Sequence, residues 1–163
     1  LSDQTYIGAY VPHNLVLMSD IHRLKYAMYL NNDAYEALKK MIDAMPDEIA
    51  NDFYVKEAYT SFTDLQYSNP NLAGRDERQL GNTVSIASKS IAYHEFETSA
   101  LSQWLEAHSY EYGFTLRYPK RMASSTNHVY DAHYYRYVGK KNANKIYKEN
   151  SCIEEYNQKE TAE

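Results

Sequence analysis

The sequence predicts an α+β domain, with short strands and segregated helices around one core. Three observations predict it. Two amphipathic helical periods, at 34–45 and 101–108, stand far apart in the chain. Between and after them lie short runs rich in Tyr, Val and Phe, bounded by Pro or Gly, which suit strands. The length of 163 residues, with 44% hydrophobic and 24% charged, fits a single domain able to bury a core without disulfides or metals.

From Leu1 to Leu17 the apolar residues cluster around Pro12 without helical period, which predicts an extended arm packed on the domain. Asp33 is the expected N-cap of the first helix, with Glu36 three residues on. Ala34, Leu38, Met41, Ile42 and Met45 form its apolar face, and Pro46 ends it. The run 53–61 is short and rich in Tyr, Val and Phe, and predicts a strand. Asn69, Pro70, Asn71, Gly74 and Gly81 then punctuate a polar loop with a short charged helix at 75–79. A core strand is expected at 84–93. Thr98 or Ser99 caps a second helix whose face is Leu101, Trp104, Leu105 and His108, with Gly113 placed for a left-handed C-cap. Strands at 114–118, ended by Pro119, and at 134–138, ended by Gly139, complete the domain. After residue 140 the chain turns charged and Asn-rich, so 140–163 reads as a peripheral helix followed by a frayed tail. No internal repeat is visible.

Composition narrows the function. The formal net charge is −5 and no run of Lys and Arg offsets it, so nucleic acid is not the expected partner. Of the aromatic residues 18 are Tyr, against 4 Phe and 1 Trp, which suits half-wet packing. Cys152 is the only cysteine, so an intramolecular disulfide and a Cys-based zinc site are both excluded. No stretch approaches the roughly 18 apolar residues of a membrane span. Chemistry is harder to find. His13, His22, His94, His108, His128 and His133 form no HExxH, no Ser sits in a GxSxG elbow, and the glycines are isolated. Arg117 and Arg136 lie on short aromatic strands, where they suit either a cation-on-ring or salt-bridge role, or a carboxylate clamp.

Several segments together go further. Phe114-Thr-Leu-Arg-Tyr-Pro-Lys120, followed by Thr126-Asn-His-Val-Tyr-Asp-Ala-His-Tyr-Tyr-Arg-Tyr-Val-Gly139, resembles the FxxRYPK and TGYxYEPWHxRYVG motifs of the VanY-type D-alanyl-D-alanine carboxypeptidases. These are LAS-fold zinc peptidases of bacterial peptidoglycan. The segment from Trp104-Leu105 to Tyr110 and Gly113 resembles the helix that precedes those motifs, and Tyr10-Val-Pro-His-Asn-Leu-Val16 resembles the leading arm. Leu38-Lys-Lys-Met41 and Ala58-Tyr-Thr-Ser61 fall where the family has its first helix and its YRS strand. The likeness covers residues 6 to 140. It implies a LAS/Hedgehog-like domain over 1–140, with a small antiparallel sheet flanked by helices, and a peripheral tail over 140–163.

The resemblance also implies a site. The family's zinc is held by the His and Asp of SxHxxGxAxD and by the His of ExxH, whose Glu is general base to the zinc-bound water. Aligning Ser85 to His94 on the first motif puts Ala87 at the zinc His and His94 at the zinc Asp. Anchoring the second on Arg136 to Gly139 puts Asp131 at the general base and Tyr134 at the third ligand, with His133 beside it. Thr60 replaces the Arg of YRS. The expectation is therefore a catalytically inactive domain without zinc. Its cleft, lined by Tyr59, Ser85, His94, Arg117, Asp131, Tyr134 and Arg136, would bind a peptidoglycan peptide or a protein of the envelope or spore. One alternative is an active D,D- or L,D-carboxypeptidase with zinc in a rearranged site using His94 and His133. A second is a structural or assembly domain with no cleft ligand. The resemblance implies an extracytoplasmic location, with any signal or anchor upstream of Leu1.

Overall fold

The computed structural model describes residues 5–162. The arm runs along the domain, with the Ile7 N–H bonded to the Gly74 carbonyl at 2.8 Å, and ends in β1 (Leu15–Leu17), which pairs antiparallel with β2 (Tyr29–Asn31). Residues 1–4 of the expected arm lie outside the described residues. Helix α1 (Asn32–Asp43) buries Ala34, Tyr35, Leu38 and Met41. Its N-cap is Asn31 rather than Asp33: the Asn31 side chain accepts the Asp33 N–H at 3.0 Å, and Asp33 sits in the first turn. An amide oxygen there satisfies a free helix N–H, while the Asp33 carboxylate still faces the positive end of the helix dipole.

A short α2 (Asp47–Asp52) leads into β3 (Phe53–Glu57). The expected strand to residue 61 stops early, because Ser61 caps a helix, α3 (Phe62–Ser68), by accepting the Asp64 N–H at 3.1 Å. The charged segment forms a 3-10 turn, Glu77–Leu80, capped by Asp76 and closed by Gly81 at φ +71. Strand β4 (Thr83–Ser88) is shorter than the expected 84–93, because the Ser88 hydroxyl accepts the N–H groups of Ser90 and Ile91 and turns the chain into a 3-10 segment, Tyr93–Thr98. Ser99 then caps α4 (Ala100–His108), and a further 3-10 turn ends at Gly113, which is left-handed. A Cβ there would meet backbone of Gly139 and Lys140 at 3.0 Å, so glycine is required for the close approach.

Strand β5 (Phe114–Tyr118) leads through the short α5 (Ala123–Thr126) to β6 (Asp131–Tyr137), which starts earlier than the expected residue 134. The sheet order is β3-β4-β6-β5, antiparallel throughout. Its two faces differ because strand residues alternate. Val55, Val84, Ile86, Phe114 and Tyr135 join Leu38, Met41, Leu101 and Leu105 of α1 and α4 in the main core. The other face carries polar groups, and the registers put Glu57 opposite Ser85 and Ser85 opposite Tyr134. The expected helix after residue 140 is α6 (Lys140–Lys148), and in place of a frayed tail a second helix, α7 (Ile153–Ala162), follows. Ile146, Ile153 and Tyr156 form a second small cluster with Val138, and Lys145–Glu160 and Lys159–Glu149 pair across the two helices at 2.7 Å.

Candidate functional site

Residues directly opposite on neighbouring antiparallel strands project to the same face, so Glu57, Ser85 and Tyr134 form one row across three strands. The 3-10 turn before β4 brings Arg78 to that row. One Arg78 Nη donates to Glu57 Oε2 at 2.6 Å, and the Tyr134 hydroxyl donates to the same oxygen at 2.5 Å. On its other side Arg78 meets Asp76, through Nε to Oδ1 at 3.0 Å and Nη2 to Oδ2 at 2.6 Å. Burial opposes the Arg78 charge, but Asp76, with Tyr134 and Glu57, outweighs it and holds the guanidinium pKa above its ordinary value. Burial first, then the bond to Glu57, pushes the Tyr134 phenol well above its ordinary range, so it stays a neutral donor. Over this row opens a cleft of about 300 Å³, lined by Arg78, Tyr118, His128, Tyr130, Asp131 and Tyr134 among others.

A second ion network lies beneath. Arg117 is 1% exposed and donates through Nε to Glu77 Oε2 at 2.5 Å, and through both Nη atoms to the Glu154 carboxylate of α7 at 2.6 and 3.1 Å. Its guanidinium also stands 4.7 Å from the Tyr118 ring centre. Arg136 approaches the same Glu77 oxygen at 3.7 Å.

These positions revise the expected site. Asp131 and Tyr134 line the cleft, and Asp131 Oδ1 also accepts the His133 N–H at 2.9 Å. Arg117 and Arg136 do not line it: both point to Glu77, the salt-bridge role, since a buried guanidinium needs carboxylate partners. Ser85 is fully buried within the row and is not a lining residue of the cleft. Tyr59 lies beyond the end of β3, with its N–H on the Tyr29 carbonyl, and is not a lining residue of this cleft. The histidine pair of a rearranged site is not brought together either. The His94 side chain is 83% exposed on the 3-10 segment, nearest Glu95. His133 is buried, stacked on Tyr93 at 3.7 Å and Phe96 at 4.4 Å, with its ring nitrogens 2.7 Å from the Ile86 and 3.0 Å from the Tyr93 carbonyl oxygens. No lone pair of that ring faces the cleft. Cys152 is buried, which raises its thiol pKa and suits no nucleophile.

Glu57, Asp76 and Arg78 were not singled out from the sequence. The signal was Gly81. The SxHxxGxAxD spacing anchored on that glycine reads Asp76, Arg78, Gly81, Thr83 and Ser85, in place of the alignment starting at Ser85. Gly81 has the positive φ that favours glycine, and a Cβ there would stand 2.9 Å from Leu15. Ser90, which the alignment starting at Ser85 sets at the motif glycine, has no positive φ. The new frame puts Ser85 directly opposite Tyr134, so two motifs from different parts of the chain converge on one row. The three ligand positions then hold a guanidinium, a hydroxyl and a phenol. A guanidinium has no acceptor lone pair and stays protonated, so Arg78 cannot ligate a cation. Among the described residues no three of His, Cys, Asp and Glu gather as a metal site. The donor set does not fit zinc.

Comparison with known proteins agrees with the architecture. The family described as VanY: D-alanyl-D-alanine carboxypeptidase matches residues 64–140. YodJ of Bacillus subtilis is 28% identical across 93% of this chain and 63% of its own length. A D-alanyl-D-alanine carboxypeptidase of Enterococcus faecalis is 32% identical across 75% of this chain and 44% of its own. The chain thus spans about half to two thirds of these relatives. Among solved structures, the LdcB LD-carboxypeptidase superposes with a TM-score of 0.81 at 27% identity, over 91% of this chain and 79% of that one. VanYB in complex with D-alanine-D-alanine superposes with a TM-score of 0.77 at 24% identity, over 97% and 95%. By sequence match and by fold, this chain is a relative of the VanY-type D-alanyl-D-alanine carboxypeptidases.

Proposed function

We propose that this domain is a non-hydrolysing relative of the peptidoglycan carboxypeptidases, whose cleft binds a cell-wall stem peptide outside the cytoplasm without cutting it. The observation that carries the reading is Arg78, paired to Glu57 and Asp76 where the zinc frame calls for a histidine. Hydrolysis by the family's chemistry needs a metal to lower the pKa of a bound water, and Asp131 alone at the cleft wall has no such water to deprotonate. Binding needs less. The cleft keeps apolar and aromatic surface from Tyr118, Tyr130 and Tyr134, with the Asp131 carboxylate at its edge. VanYB, the same fold, was solved with D-alanine-D-alanine, and the LdcB structure concerns peptidoglycan recognition, which supports a peptide as the ligand class.

The test is a stem pentapeptide incubated with the purified domain and zinc, with D-alanine release and calorimetric binding followed together. Binding without release is expected. Zinc-dependent release abolished by chelator, or no binding at millimolar peptide, overturns the proposal.

A further inference from the structure

We propose that Arg78 is an internal cation that has taken the place of the metal ion, so that the cleft is permanently charged and closed to zinc. Four observations converge on it. Arg78, Ser85 and Tyr134 hold the three positions where the zinc frame needs His, Asp and His. The sheet register sets Ser85 of β4 opposite Tyr134 of β6, and Arg78, from the turn, reaches the carboxylate that Tyr134 also holds. Glu57, opposite Ser85 on β3, receives Arg78 and Tyr134 on a single carboxylate oxygen, at 2.6 and 2.5 Å. Asp76 then holds the far side of the guanidinium at 2.6 Å. Two carboxylates facing one another without a cation would repel and lose hydration, and the guanidinium resolves this as a metal would. Three of its five N–H groups go to Asp76 and Glu57. Two are uncommitted among the described contacts, on a side chain 19% exposed at the cleft, and suit a carbonyl or carboxylate oxygen of a ligand.

The inference shares its cleft with the reading above but not its ligand, so failed peptide binding leaves it standing and a failed metal test leaves peptide binding standing. The experiment uses cobalt(II) absorption and zinc titration calorimetry on the full chain and on the variant R78H/S85D/Y134H. The wild type is expected to give no tetrahedral cobalt bands. The triple variant, folded by circular dichroism, is expected to bind one equivalent at least about 1000-fold more tightly than the wild type, since three such ligands make an ordinary open zinc site. Stoichiometric cobalt in the wild type, or none in the folded triple variant, overturns the proposal. Should the triple variant not fold, Arg78→Ala serves: it strips the countercharge from Glu57 and Asp76. Its melting temperature should fall, then rise by about 3 °C or more with millimolar zinc while the wild type does not move. An equal zinc response in both overturns it.

Discussion

Replacing Arg117 by Ala should cost this domain more than any other single charge removal, and the size follows from its surroundings. The side chain is 1% exposed, so no water can replace its partners. Removal takes from Glu77, 7% exposed, its shortest ion pair, leaving Arg136 at 3.7 Å and the Thr83 hydroxyl at 3.3 Å, and takes two hydrogen bonds from Glu154, which is 19% exposed and can rehydrate in part. Breaking a buried pair by deleting one partner costs roughly 3–5 kcal/mol, and the Glu77 side places Arg117→Ala within that range. At about 2–4 °C per kcal/mol for a chain of this size, the melting temperature should fall by about 6–20 °C. Glu154→Gln keeps one acceptor and should cost roughly 1–3 kcal/mol. Thermal unfolding by circular dichroism, with urea titration for the free energies, measures both. A loss below about 1 kcal/mol for Arg117→Ala would refute the reasoning, because it would mean that Arg136, Thr83 or water suffices for Glu77.

Two further outcomes are expected. Gly81→Ala forces a side chain into φ +71 with its Cβ 2.9 Å from Leu15 and 3.1 Å from Pro12, and should cost about 1–3 kcal/mol by urea titration, whereas no measurable loss would contradict it. Asp52 is a pH-linked case: burial raises its pKa, but hydrogen bonds from Ser88 and Ser90 outweigh it and leave the folded value below the ordinary 3.8. A depressed folded pKa stabilises above the unfolded value, and that contribution is lost as pH falls through the folded one. Asp52→Asn should therefore be less stable than the wild type at pH 7, with the gap closing below about pH 4, whereas a gap independent of pH would contradict the assignment.

The local signals in the sequence were readable because their physics is local. Leu38 and Met41 repeat at helical spacing, Ser99 caps α4, and Gly113 ends the turn after it, so α1, α4 and β5 fall where expected, two residues apart at the first cap. The Ser61 to Asp64 cap was equally local and was passed over because Tyr, Val and Phe in that run favoured a strand. The site was legible only on one side. Arg136 to Gly139 is distinctive enough to fix Asp131 and Tyr134. The other side was hidden, since Arg78 and Ser85 replace the residues that mark the motif and only Gly81 survives. Glu57 carries no signal in one dimension. Its place beside Ser85 is set by strand register, including the irregularity between Val55 and Glu57, which sequence periodicity does not encode.

The reach of Arg117 to α7 redraws the boundary of the working unit. The stretch that matches the family, residues 64–140, contains Arg78, Arg117 and Tyr134 but neither Glu57, which receives two of them from upstream, nor Glu154, which holds the third from downstream. Cut to that stretch, Arg78 would keep Asp76 and Arg117 would keep Glu77, but each would lose its second carboxylate. Any piece that presents this site must therefore reach at least from β3 to the first turn of α7, and the last helix is a brace for the cleft rather than an appendage beside it.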